Sequence, residues 1–234
     1  MSYAITGLPF VITFPGAYHM EASKSHYPAS GNAITIACDN VQIEGNGFGL
    51  LNPAGPATHA VGISAVGKTG IDIRNVDIRG FYAGVRLEKC ADVRLERVDA
   101  SGFYIGLWAE GVATLIRDCR VRDIGGSTAP QTTRPIGIKL AGDGSLVDRC
   151  IVTRVASVQE CMGINVVTGC LVEIRNTLLA QPAIARESYG LWTNAPRVLL
   201  RDVVMANWTH SYGRNSGTRV EKINLVLMDC DGVQ

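Results

Sequence analysis

Residues 61–111 read VGISAVGKTGIDIRNVDIRGFYAGVRLEKCADVRLERVDASGFYIGLWAEG. Three times in this stretch a glycine is followed by a branched or long aliphatic residue, a variable residue and an apolar one: VGISAV, AGVRLEK and IGLWAEG. Gly62, Gly84 and Gly106 are 22 residues apart. Towards the C-terminus the phrase returns as IGIKLAG, MGINVVT and YGLWTNA, with Gly137, Gly163 and Gly190 at spacings of 31, 26 and 27. The minimum repeat is therefore 22 residues, and the longer repeats carry insertions at one point, as solenoids do when loops vary on a constant frame.

A second phrase follows each first at a near-constant distance: IDIRNVDI, VRLERVDA, TLIRDCRV, SLVDRCIV, VEIRNTLL, VLLRDVVM and, near the end, LVLMDCDG. Its apolar and polar residues alternate with period two, which predicts strands. A polar residue stands mid-phrase (Asn75, Arg97, Asp118, Arg149, Asn176, Asp202, Asp229) and marks a tight corner, which Asn and Asp tolerate best. The residues after the corner form a column, Val76, Val98, Cys119, Cys150, Thr177, Val203 and Cys230, in which Cys takes the place of a small buried hydrophobe. Antiparallel sandwiches do not repeat one motif in one phase, and the Leu/Asn consensus of leucine-rich repeats is absent. The pattern predicts an all-β, single-stranded right-handed parallel β-helix of about seven coils.

The composition agrees: 47% hydrophobic, 18% charged and 26 glycines among 234 residues. Charge is balanced, 22 Lys+Arg against 21 Asp+Glu, with the basic residues scattered, so nucleic acid is not an expected partner. No apolar run is long enough for a membrane span. The opening MSYAITGLPFVITFPGAYHM lacks the basic and long apolar regions of a signal peptide. Seven cysteines without CxxC spacing, and four histidines out of phase, predict no metal, no cofactor and no required disulfide.

The segments ITGLPFVITFPGAYHM (5–20) and GNAITIACDNVQIEGNGFGLL (31–51) resemble the opening of bacterial and phage right-handed β-helix proteins of the pectate-lyase-like superfamily. The resemblance implies an N-terminal cap segment over 1–33 and a β-helix over 34–234. It implies fold and leaves activity open, because this fold hosts lyases, hydrolases, epimerases and adhesive phage proteins alike.

If the variable residue of the glycine phrase faces outward, Thr35, Ser64, Arg86, Trp108, Lys139, Asn165 and Trp192 stack at about 4.8 Å per rung. Tryptophan stacks on sugar rings and Arg and Lys pair with carboxylates, so the column reads as a contact strip for an acidic polysaccharide or a protein; the other reading places the tryptophans under loops or in a subunit contact. The insertions before Gly137, Gly163 and Gly190 would wall the strip and add Arg134, Arg186 and Tyr189. The pairs Phe81-Tyr82 and Phe103-Tyr104 share one phase and should stack.

Glu88 and Glu110 fall at equivalent places on consecutive coils, which would set their carboxyls about 5 Å apart, near the separation in retaining glycosidases. With Lys139 they are the candidate catalytic residues. Two functions follow. One is a non-enzymatic structural or adhesive β-helix, such as a virion appendage or decoration protein, self-associating (as a trimer in phage spikes) or bound to another virion protein. The other is a polysaccharide lyase, hydrolase or epimerase on the same face. Without a signal peptide, the location is the virion or otherwise the cytoplasm. The ending LVLMDCDGVQ shows no capping helix, and uncovered strand edges favour association.

Overall fold

In the computed structural model, residues 2–129, 134–157, 159–169, 171–182, 187–214, 217–228 and 230 are described. Among them every regular element is a strand, and every strand pairing is parallel. The chain is a parallel β-helix with three sheets.

The first sheet contains the glycine phrases, from Phe10–Ile12 through Asn32–Ile36, Val61–Val66, Ile136–Ala141, Cys161–Thr168 and Ser188–Thr193 to His210–Arg214. Residues 83–88 and 105–110 supply its middle rungs from within one strand, Thr69–Arg117, which bends around successive corners. The first sheet is thus crossed nine times over about eight turns. The glycine phrase marks fewer, because Ala33 holds the glycine's place in an early rung and Ser211 in the last. The N-terminal residues already run in register, with Phe10 beside Ile34 and Ser2 beside Ala17.

The marker glycines are explained by close approach. A Cβ on Gly106 would lie 2.3 Å from Val121 Cγ1 of the third sheet and 2.7 Å from the Gly137 carbonyl one rung on. Only hydrogen fits between the two sheets at that level.

The second sheet contains the first halves of the second phrases and the third sheet their second halves. One residue in the left-handed region turns the chain between them: Asn75, Arg97, Asp118, Arg149, Asn176, Asp202 and Asn224, with φ between 49° and 53°. Arginine is accepted there because it is tied down. Arg97 Nε donates to Asn75 Oδ1 at 2.5 Å, and Arg149 donates to both Asp118 carboxylate oxygens at 2.7 Å.

The last coil corrects the sequence reading. Arg201 pairs with Ile223 and Val204 with Val226, so its corner is Asn224. Asp229, expected there, lies outside the described residues. Cys230 instead lies 22 residues past Trp208, its thiol pointing to the Met205 carbonyl at 3.4 Å. The corner column Val76, Val98, Cys119, Cys150, Thr177 and Val203 is buried as expected.

Outside the second sheet runs a ladder of alternating charge that the sequence reading did not extract: Glu44, Arg74, Glu96, Arg117, Asp148 and Arg175. Asp148 is 1% exposed, accepts from Arg175 Nη2 and Arg149 Nη1 at 3.3 Å and from Asn176 at 3.0 Å, and has Arg117 Nε at ion-pair distance, 3.3 Å. Burial works against its charged form, but the bonds from Arg175 and Asn176 hold its carboxyl below the usual range.

Candidate functional site

The outward column of the first sheet is present in register. Thr35 pairs with Ser64, Ser64 with Arg86, Lys139 with both Trp108 and Asn165, and Asn165 with Trp192. These side chains do not stand on a bare sheet. The residue before each marker glycine (Val61, Ala83, Ile105, Ile136, Met162, Tyr189) joins a second apolar cluster separate from the core, on which Tyr82, Tyr104, Trp108 and Trp192 pack. A row that reads as solvent-facing is therefore a satellite core roofed by aromatic rings.

Trp108 is flanked by two cations. The Arg86 guanidinium lies 4.6 Å from its ring centroid and Lys139 Nζ 3.7 Å. A sugar stacking on this indole competes with cations already placed over its ring. Trp192 meets Tyr189 edge-on at 4.8 Å and lies across Gly213 of the next rung, where a Cβ would come within 2.3 Å of Trp192 Cε3. Between them Asn165 is half-buried, and its Oδ1 has no hydrogen-bond partner.

The carboxylates are neutralised locally. Arg86 Nη2 donates to Glu88 Oε1 at 2.8 Å, and Lys139 Nζ lies 2.8 Å from Glu110 Oε1. Burial alone would raise the Glu110 pKa, but Lys139, with help from the charge of Arg86, lowers it overall. A general acid in a glycosidase needs the opposite shift. Arg134 is brought to Glu160, Nε to Oε2 at 2.8 Å, beside Tyr189. Arg186 lies outside the described residues.

The insertion after Gly125 turns back along the solenoid, with the Thr128 N–H donating to the Pro56 carbonyl at 3.0 Å and Ala129 buried. Tyr82 packs against Tyr104 at 4.9 Å with the rings tilted by 35°, while Phe81 turns into the core. The histidines that looked out of phase extend the aromatic rows: His59 meets Tyr82 at 5.6 Å and His210 meets Tyr189 at 4.8 Å. Ring stacking ignores residue type, so a search for repeated letters misses them. A surface groove of about 700 Å³ lies away from this face, between Glu44, Asn75, Asp77, Arg97 and Asp99. Among the described residues no group of His, Cys, Asp and Glu has the arrangement to hold a metal, and no helix is long and apolar enough to cross a membrane.

These features define a parallel β-helix protein with a charge-balanced aromatic face. No family model matches the chain, and no curated protein does. Among solved structures it is similar to the crystal structure of Dettilon tailspike protein, at 10% identity and a TM-score of 0.45, over 97% of this chain and 61% of that one. The chain therefore spans about three fifths of that structure's length. The assignment of the fold rests on the chain's own strand register.

Proposed function

We propose that this protein is a non-enzymatic structural or adhesive β-helix, of the kind that serves as a virion appendage or decoration protein, and that it makes its contacts through the first sheet. The observation that carries the reading is the pairing of Arg86 with Glu88 and Lys139 with Glu110 around Trp108. A face whose charges are mutually satisfied is a rigid platform, and a lowered Glu110 pKa works against acid catalysis.

The same balance makes a dense polyanion a poorer ligand than a hydroxyl-rich neutral glycan or a protein surface. The contact patch is then the half-buried Asn165 and Trp192, backed by the buried Tyr189. A glycan array with the wild type and Trp192→Ala tests this. Binding to neutral glycans that the variant loses, with no new chain ends after long incubation, supports the reading. Release of new reducing or unsaturated ends, abolished by Glu110→Gln, overturns it in favour of a polysaccharide-active enzyme.

A further inference from the structure

The outward face of the third sheet changes character along the solenoid. Its middle coils are charged there, with Asp77 and Arg79 on one rung, Asp99 and Ser101 on the next and Arg120 and Arg122 on the one after; the rung below them holds Gly49 and Leu51. From Ile151 upward the same columns contain no charge. One column becomes Ile151, Leu178, Val204 and Val226, in continuous register. Its neighbour, two residues along each strand, becomes Thr153, Ala180, Ala206 and Met228. Their inward neighbours Val152, Leu179 and Met205 are fully buried, so the fold already has its core and does not require this outer strip. Val226 and Met228 are 48% and 54% exposed, and the others are half-buried.

We infer that this face binds a second copy of the chain, side by side and parallel, about a two-fold axis that runs along the solenoid. The strip is self-complementary under that operation alone. Rotation about such an axis exchanges the two columns, so Leu178 faces Ala180 of the other copy and Val204 faces Ala206, large against small on every rung up to Ala206. A two-fold across the solenoid would set Leu178 and its neighbours against their own kind. Sheets pack face to face about 10 Å apart, a gap that large-against-small columns fill.

Charge supports the same axis. In the middle coils it places Asp77 opposite Arg79 of the other copy, and Arg79 opposite Asp77, in addition to the bond within the chain from Arg79 Nε to Asp77 Oδ1 at 2.9 Å. On one rung the axis sets Arg120 against Arg122, a like-charge contact that works against it and is eased by Asp99 at 3.2 Å from Arg122. An isologous contact of this kind closes on itself and forms no filament. The inference uses the third sheet and does not depend on the functional reading of the first.

Light scattering on the purified protein with size-exclusion chromatography tests it. The wild type is expected to be a dimer, and Ala206→Arg or Leu178→Lys to raise the dimer dissociation constant by about a hundredfold or more with unchanged circular dichroism. Asp77→Arg sets like charges against each other, as does Arg79→Asp, so each variant alone is expected to associate more weakly. Mixed together they regain opposite charges across the axis and form a heterodimer. A wild-type monomer, a trimer, or a dimer indifferent to Ala206→Arg and to the mixing of the charge variants overturns the inference.

Discussion

Lys139 places its Nζ 3.7 Å from the centroid of the Trp108 ring, one rung away along the first sheet. The same ammonium reaches Glu110 at 2.8 Å, so a single cation neutralises a carboxylate and covers an indole. Arg86 also lies over the ring, 4.6 Å from its centroid, and the tryptophan becomes part of the frame.

Lys139→Met should therefore act first on stability. Removing the cation leaves Glu110 partly buried without its partner and opens one face of Trp108. The expected cost is about 1–2 kcal/mol, with Lys139→Arg milder. Urea unfolding followed by tryptophan fluorescence measures it, and the native emission of the methionine variant should shift as the indole gains water.

Asp148 should govern part of the acid sensitivity. Its folded-state pKa lies below that of the unfolded chain, so its contribution is complete above the unfolded value and is lost as pH falls through the folded one. Glu96, Asp118 and Asp123 are lowered in the same direction by their arginine partners. Asp148→Asn leaves Arg117 and Arg175 facing each other without a countercharge and should destabilise the fold at neutral pH. Melting temperatures between pH 2 and pH 7 should show a shallower acid limb in the variant than in the wild type.

Gly137→Ala should be far more damaging than its size suggests. The new methyl would lie 2.4 Å from Val152 Cγ1 and 2.5 Å from the Gly163 carbonyl, both fixed by neighbouring rungs. Overpacking of this kind costs about 1–3 kcal/mol. Gly7→Ala, with open space around it, serves as the control in the same denaturation experiment.

The described cysteines should label in two classes. Cys38 and Cys230 are partly accessible, whereas Cys90, Cys119, Cys150 and Cys161 are buried. The thiol of Cys150 is pushed up by its hydrogen bond with Cys119 and by burial, and that of Cys161 is pushed up to about 11, chiefly by burial. Iodoacetamide at pH 8 should modify the first pair in the native protein and the other four only after unfolding, as peptide mass spectrometry will show.

The sequence alone carried the repeat, the strands, the corner residues and the register of the Thr35-to-Trp192 column. Each of these is a local periodicity, fixed by the 22-residue minimum coil and the alternation of strand side chains. It misread the last coil because Asn224 and Asp229 are both acceptable corner residues, and only strand pairing with the rung below decides between them. It read the column as a solvent-facing strip because periodicity gives a residue's direction and not what covers it. Tertiary structure decided that the residues before the marker glycines build a second cluster, that two cations flank Trp108, and that Glu88 and Glu110 are each claimed by a cation. It also arranged the Glu44-to-Arg175 ladder and the apolar strip of the third sheet. Both consist of residues 21 to 31 positions apart, which become neighbours only when whole coils stack.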